Sequence, residues 1–123
     1  KDIIKLMDKI RGPFNVNQSV QTAGIAAIND KVYEKKMKKH NKFWLDKMYN
    51  QLKKLPVEPV NSRANFILIK VGKNANKLIK YLMTNSIIVR KMSKYKLDRY
   101  IRVSVGKANE NKKFIEVMRK FYS

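Results

Sequence analysis

The 123 residues contain no cysteine, one histidine, four glycines, three prolines and nine acidic residues. Without cysteine there is no disulfide framework and no thiolate ligand for a metal. A single histidine, His40, cannot assemble a multi-histidine metal site or supply a Ser-His-Asp triad with a spare base. The glycines stand far apart, at 12, 24, 72 and 106, so no glycine-rich loop is present to cradle a phosphate at a strand-to-helix turn. The few carboxylates fall mostly on the expected wet faces of helices, and no pair of them is spaced for general acid–base work. No apolar run reaches the roughly 18 residues of a membrane span, and no secretory leader is read at the start. What remains is one domain's worth of soluble chain, compatible with a reducing, cytoplasmic setting and carrying no evident catalytic engine.

What the sequence has in excess is positive charge, with 29 Lys+Arg against 9 Asp+Glu and a net charge of +20. Such an excess raises nucleic acid as a partner. Its distribution argues otherwise. Lysines occur in nearly every segment, and the densest cluster (Lys35, Lys36, Lys38, Lys39, Lys42) follows the wet side of one predicted helix. Asn and Ile are abundant as well, which together with Lys is the bias of a coding sequence poor in G and C. A basic nucleic-acid module should also interleave aromatics with lysines on one exposed face, whereas the aromatics here fall on stripes expected to be buried. The charge is read as compositional, with no specific nucleic-acid partner and no membrane.

Along the chain, Ile3, Ile4, Leu6, Met7 and Ile10 give a helical spacing that starts without a cap, as in a piece of something longer. Gly12-Pro13 breaks it. A second helix is predicted from Gln18 to Ile28. Asp30 is placed to cap a third, running to about Leu55, with Tyr33, Met37, His40, Trp44, Met48 and Leu52 on one stripe. His40 reads as a half-buried, satisfied histidine and Trp44 as core. Pro56 and Pro59 frame a short extended piece, and Phe66–Val71 is the strongest strand. A helix over Asn74–Thr84 and a closing helix over Ala108–Tyr122 complete the order: three helices, then β-α-β-β-α.

The segment from Ile87 to Gly106 carries the chemistry. It reads as two short apolar strands joined by a polar link, with Arg90 ending the first and Arg102 inside the second. Alternation sends Ile101, Val103 and Val105 to one face and Tyr100, Arg102 and Ser104 to the other. An arginine on a rigid strand presents a planar five-donor fork in a fixed direction, which suits bidentate capture of a carboxylate or phosphate. The plain alternative is an edge strand with a solvated outer face. Ser93-Lys94 is not a Schiff-base pair, because Lys91 and Lys96 flank it and nothing apolar would lower the lysine pKa.

Taken together, the segments resemble the C-terminal part of the histidinol-phosphate aminotransferases, which are fold-type I pyridoxal-phosphate enzymes. Ile10-Arg11-Gly12-Pro13-Phe14-Asn15-Val16-Asn17 is similar to that family's Arg-x-Pro-Phe-Asn-Val-Asn segment. Ser62-Arg63-Ala64-Asn65-Phe66 resembles its Ser-x-x-Asn-Phe lead into a strand. Ile88-Val89-Arg90 and Tyr100-Ile101-Arg102-Val103-Ser104-Val105-Gly106 resemble its two arginine motifs. Glu110-Asn111 resembles the start of its last helix. The chain departs from the family at Tyr95-Lys96-Leu97-Asp98, where Tyr-Gly-x-Pro is usual.

The resemblance implies an α/β (α+β-like) small domain over 31–123, a small sheet covered by helices, preceded over 1–30 by the end of the large cofactor domain and a linking helix. It implies Arg102 as the anion-binding arginine, Arg90 as a second contact and Asn65 as a neighbour of the site. The Schiff-base lysine and every cofactor-binding residue would lie upstream of Lys1, so no catalytic residue is expected in this chain, which alone should be inactive. The implied cofactor is pyridoxal 5'-phosphate, the substrates are histidinol phosphate and the glutamate/2-oxoglutarate couple, and the complete enzyme is a cytoplasmic homodimer. An aromatic-amino-acid aminotransferase or an amino-acid-phosphate decarboxylase of the same fold shares these motifs.

Overall fold

The computed structural model describes residues 2–11 and 16–123. Gly12, Pro13, Phe14 and Asn15, which hold the predicted helix break and much of the first family-like segment, lie outside the described residues. The chain divides into two compact units, over 1–36 and 37–123, with the division falling inside a helix.

In the first unit, α1 (Asp2–Ile10) and α2 (Gln18–Asn29) form as their spacing predicts. Asn17 caps α2, its Oδ1 accepting from the Val20 amide at 2.9 Å. No residue of either helix is buried, so the apolar stripe Ile3, Ile4, Leu6, Met7 and Ile10 stands exposed. Asp30 closes α2 and opens α3 (Lys31–Leu52), accepting from the Tyr33 amide through Oδ1 at 2.8 Å. This is the capping role its short polar side chain suits.

The second unit is built on four antiparallel strands among the described residues: β1 (Glu58–Val60), β2 (Phe66–Lys70), β3 (Arg90–Lys91) and β4 (Tyr100–Ser104), in the order β1-β2-β4-β3. Period-2 alternation sends Ile67, Ile69, Ile101 and Val103 inward. There they join Trp44, Leu45, Met48 and Leu52 of α3, Leu78 and Leu82 of α4 (Ala75–Thr84), and Phe114, Ile115, Val117 and Met118 of α5 (Ala108–Tyr122) in one core. Burying a side chain of this size contributes about 1.5–3 kcal/mol, so this cluster is what holds the sheet's other face in a fixed pose.

Four expectations are corrected. The piece framed by the prolines is a true edge strand, making the order β-β-α-β-β-α. Pro59 is tolerated in it because an edge position needs no donor on its outer side. α3 stops at Leu52, where the Leu55 amide turns back to the Leu52 carbonyl at 3.0 Å. Tyr33 and Met37 are exposed rather than part of the buried stripe. The run Ile87–Val89 is not a strand, and Arg90 begins β3 instead of ending it. The Ile87 amide is spent on the Leu82 carbonyl at 2.9 Å, and Ser86 sits at φ 60°. That winding at the end of α4 delays sheet pairing until Arg90.

Candidate functional site

β4 pairs with β2 and β3 on its two sides, and Arg102 stands opposite Leu68 on one and Arg90 on the other. Residues in direct register share a face, so both arginines lie on the outer face of the sheet, away from the core. Like charges placed opposite each other destabilise a strand pair. Among the described residues no ion pair relieves them; the salt bridges lie elsewhere. Their flat guanidinium groups rest instead on aromatic rings, Arg102 at 4.9 Å from the Phe66 centroid and Arg90 at 5.9 Å from that of Tyr95. A cation–π contact of this kind holds the charge near the ring and uses none of the guanidinium's N–H donors.

Beside the pair lies a cavity of about 870 Å³, bounded by Arg90 and Arg102 from the sheet and by Gly106, Glu110, Asn111 and Lys113 at the start of α5. Its one lining carboxylate is already engaged, since Glu110 Oε2 accepts from the Lys107 amide at 2.7 Å. Two arginines and a lysine against one occupied carboxylate make a cavity that favours an anion.

The turn joining β4 to α5 is held by a polar node. Asn111, 2% exposed, accepts from the Gly106 amide and donates through Nδ2 to the Gly106 carbonyl, each at 2.9 Å. His40 of α3 also donates to that carbonyl through Nε2, at 2.9 Å. A Cβ at position 106 would overlap the Glu110 carboxylate and lie 3.3 Å from its Cβ, so a larger residue there would push that side chain off the Lys107 amide.

Asn65 is exposed and is not among the cavity's lining residues. Its carbonyl accepts from the Val105 amide at 2.8 Å and so extends the β2–β4 ladder by one rung. Lys94 is exposed on a 3-10 turn over Ser93–Tyr95. The residue after that turn, Lys96, takes φ 59° where the family motif has glycine, a left-handed conformation that costs an L-residue about 1–2 kcal/mol. Sequence reasoning did not join His40 to Gly106 and Asn111. The only signal was the glycine followed by an asparagine five residues later, just inside a helix.

The pattern of the aminotransferase class I and II family matches residues 1–118. Over 98% of its length the chain is 34% identical to a histidinol-phosphate aminotransferase of Paramagnetospirillum magneticum, covering 34% of that protein. It is 36% identical over 96% of its length to a histidinol-phosphate aminotransferase of Desulfotalea psychrophila, covering 31% of that protein. Among solved structures, the histidinol-phosphate aminotransferase of Sinorhizobium meliloti in complex with pyridoxal-5'-phosphate superposes with a TM-score of 0.75 at 26% identity, over 95% of this chain and 34% of that one. The chain thus spans about a third of the length of the curated relatives it matches.

Proposed function

This chain belongs to the class I and II aminotransferases, and we propose that it is the substrate-positioning C-terminal part of an enzyme that transfers the amino group of histidinol phosphate to 2-oxoglutarate. The observation that carries the reading is the pair Arg90 and Arg102, opposed in register and without carboxylate partners, beside a cavity whose single acid is engaged. A phosphate dianion would draw on both arginines, whereas a carboxylate needs one fork. Arg102, half-buried and over the Phe66 ring, is assigned the shared fork, and the more exposed Arg90 the second phosphate contact.

The described residues do not fit a pyridoxal phosphate site. Asn111 is the one buried polar residue among them, and no lysine is buried where desolvation would hold its amine neutral. The cofactor and its lysine are assigned to the rest of a longer protein, and this chain's share of the chemistry is to bind and orient. Residues to about Asp30 are assigned to the end of the cofactor domain, a reading supported by the exposed apolar stripe of α1, and 31–123 to the small domain. The proposal extends to the cytoplasmic homodimer implied by the family resemblance, whose oligomeric state sedimentation of the full-length protein would test.

In the full-length enzyme, Arg102→Lys keeps the charge and loses the fork. Removing a charge-assisted bond costs on the order of 1.5–3 kcal/mol, or roughly ten- to a hundredfold in kcat/KM, here for both half-reactions. Arg90→Lys should cost the histidinol phosphate half-reaction more than the 2-oxoglutarate one. Near-wild-type kcat/KM in both half-reactions for Arg102→Lys would make Arg102 a surface residue and sink the proposal.

A further inference from the structure

We propose that His40 and Asn111 are positioning residues of the anion cavity: by holding the Gly106 peptide between them, they set the gap between the arginine pair and the first turn of α5. This rests on the reading of the cavity as the anion site.

Gly106 has one donor and a carbonyl with two lone pairs, and the node uses all three. Asn111 takes the amide and one lone pair, and His40 takes the other. A carbonyl can only accept, so His40 donates to it from Nε2. Such full satisfaction matters because Asn111 is buried, where an unmet polar group is costly. An apolar residue at 111 would fill the same space but leave the Gly106 amide without an acceptor and its carbonyl held by His40 alone.

The node sits where two cavity walls meet. Arg102 lies four residues before Gly106 on β4, and Glu110 and Asn111 form the facing wall four and five residues after it. The end of β4 is tied on its other side by the Val105 amide to Asn65. The Gly106 peptide is therefore the hinge between walls, and His40 is its only tether from α3 among the described hydrogen bonds. Without that tether, glycine's freedom lets the hinge relax and the walls part, and small displacements of an oriented charge weaken binding sharply.

The test compares full-length wild type with His40→Gln and His40→Phe. Glutamine brings an amide donor to about the place of Nε2, while phenylalanine fills the space without a donor. Affinity for inorganic phosphate is measured by calorimetry, with KM and kcat for histidinol phosphate and the melting temperature alongside. His40→Phe should raise both the phosphate Kd and KM by about five- to tenfold, more than it lowers kcat, and His40→Gln should restore both to within about twofold of wild type. A melting shift with unchanged phosphate affinity, or a glutamine variant as weak as the phenylalanine one, overturns the proposal. Asn111→Asp probes the same hinge from α5 if His40→Phe does not fold: it keeps the acceptor for the Gly106 amide and loses the donor to its carbonyl, and an unchanged phosphate Kd would likewise refute the idea. Wild type that binds phosphate yet does not transaminate would sink the proposed function and leave this inference standing.

Discussion

At the scale of single residues, the chain places its polar groups sparingly in the interior, and the exceptions are informative. Asn111 is buried and fully paired. Tyr122 is the contrast: its hydroxyl is buried with no hydrogen-bond partner, and burial pushes its phenol above the usual range. A raised folded-state pKa means the folded form holds the proton more tightly than the unfolded chain. Its contribution is therefore intact below the ordinary tyrosine range near pH 10 and is lost as pH rises through it. Tyr122→Phe removes an unsatisfied group while keeping the ring that packs edge-on against Phe121 at 4.9 Å. Urea denaturation at pH 7 should show the variant at least as stable as wild type, by up to about 1 kcal/mol, and at alkaline pH the gap should widen. A loss of stability at neutral pH would mean that the hydroxyl has a partner after all.

At the scale of elements, β3 is the weak member of the sheet. It has two residues, against five in β2 and β4, and the stretch before it is tied to α4 through Asn85, Ser86 and Ile87, with no such bond from Ile88 or Val89 among the described backbone hydrogen bonds. Ile88 is 89% exposed. Amide exchange should be fast at Ile88 and Val89, slower at Ile87, and slowest at Ile69 and Ile101, whose strands pair and whose side chains are buried. Protection at Ile88 equal to that at Ile101 would show a longer β3 in solution. The same contrast explains what could be read from sequence. Phe66–Lys70 and Tyr100–Ser104 were legible because alternation and burial agree there, and α5 because its core spacing is strong and its ends are marked. Ile87–Val89 looked like a strand by composition, but a hydrogen bond to the end of α4 overrides propensity and no local pattern records it. β1 was hidden for the opposite reason, since Glu58-Pro59-Val60 has little intrinsic strand character and forms because β2 offers it an edge. At the site, Arg102 was visible from alternation and Arg90 was expected at the end of a strand that it instead begins, whereas the reach of His40 to Gly106 joins residues 66 apart in sequence.

At the scale of the whole molecule, the net charge of +20 must appear in solution, with the densest run of lysines along α3. Lysines spread over helices attract polyanions by releasing counterions, without a shaped contact to tell one sequence from another. Fluorescence anisotropy with two unrelated DNA duplexes should give indistinguishable affinities that collapse between 50 and 200 mM salt, the range in which screening removes such contacts. Tight binding at physiological salt that separates the two duplexes would restore nucleic acid as a partner.

The strand order carries a kinetic consequence. The two central strands, β2 and β4, are neighbours in the sheet but are separated in the chain by everything from Val71 to Arg99, including α4 and β3. Their pairing must close that long loop before Ile69 can meet Ile101, and loop closure is paid for in chain entropy ahead of any contact it gains. α4 forms within the loop and shortens the span to be searched, so helix formation there assists the closure. Collapse of this unit is therefore gated by one long-range encounter, and substitutions that weaken α4 should slow refolding even where they leave the finished sheet untouched.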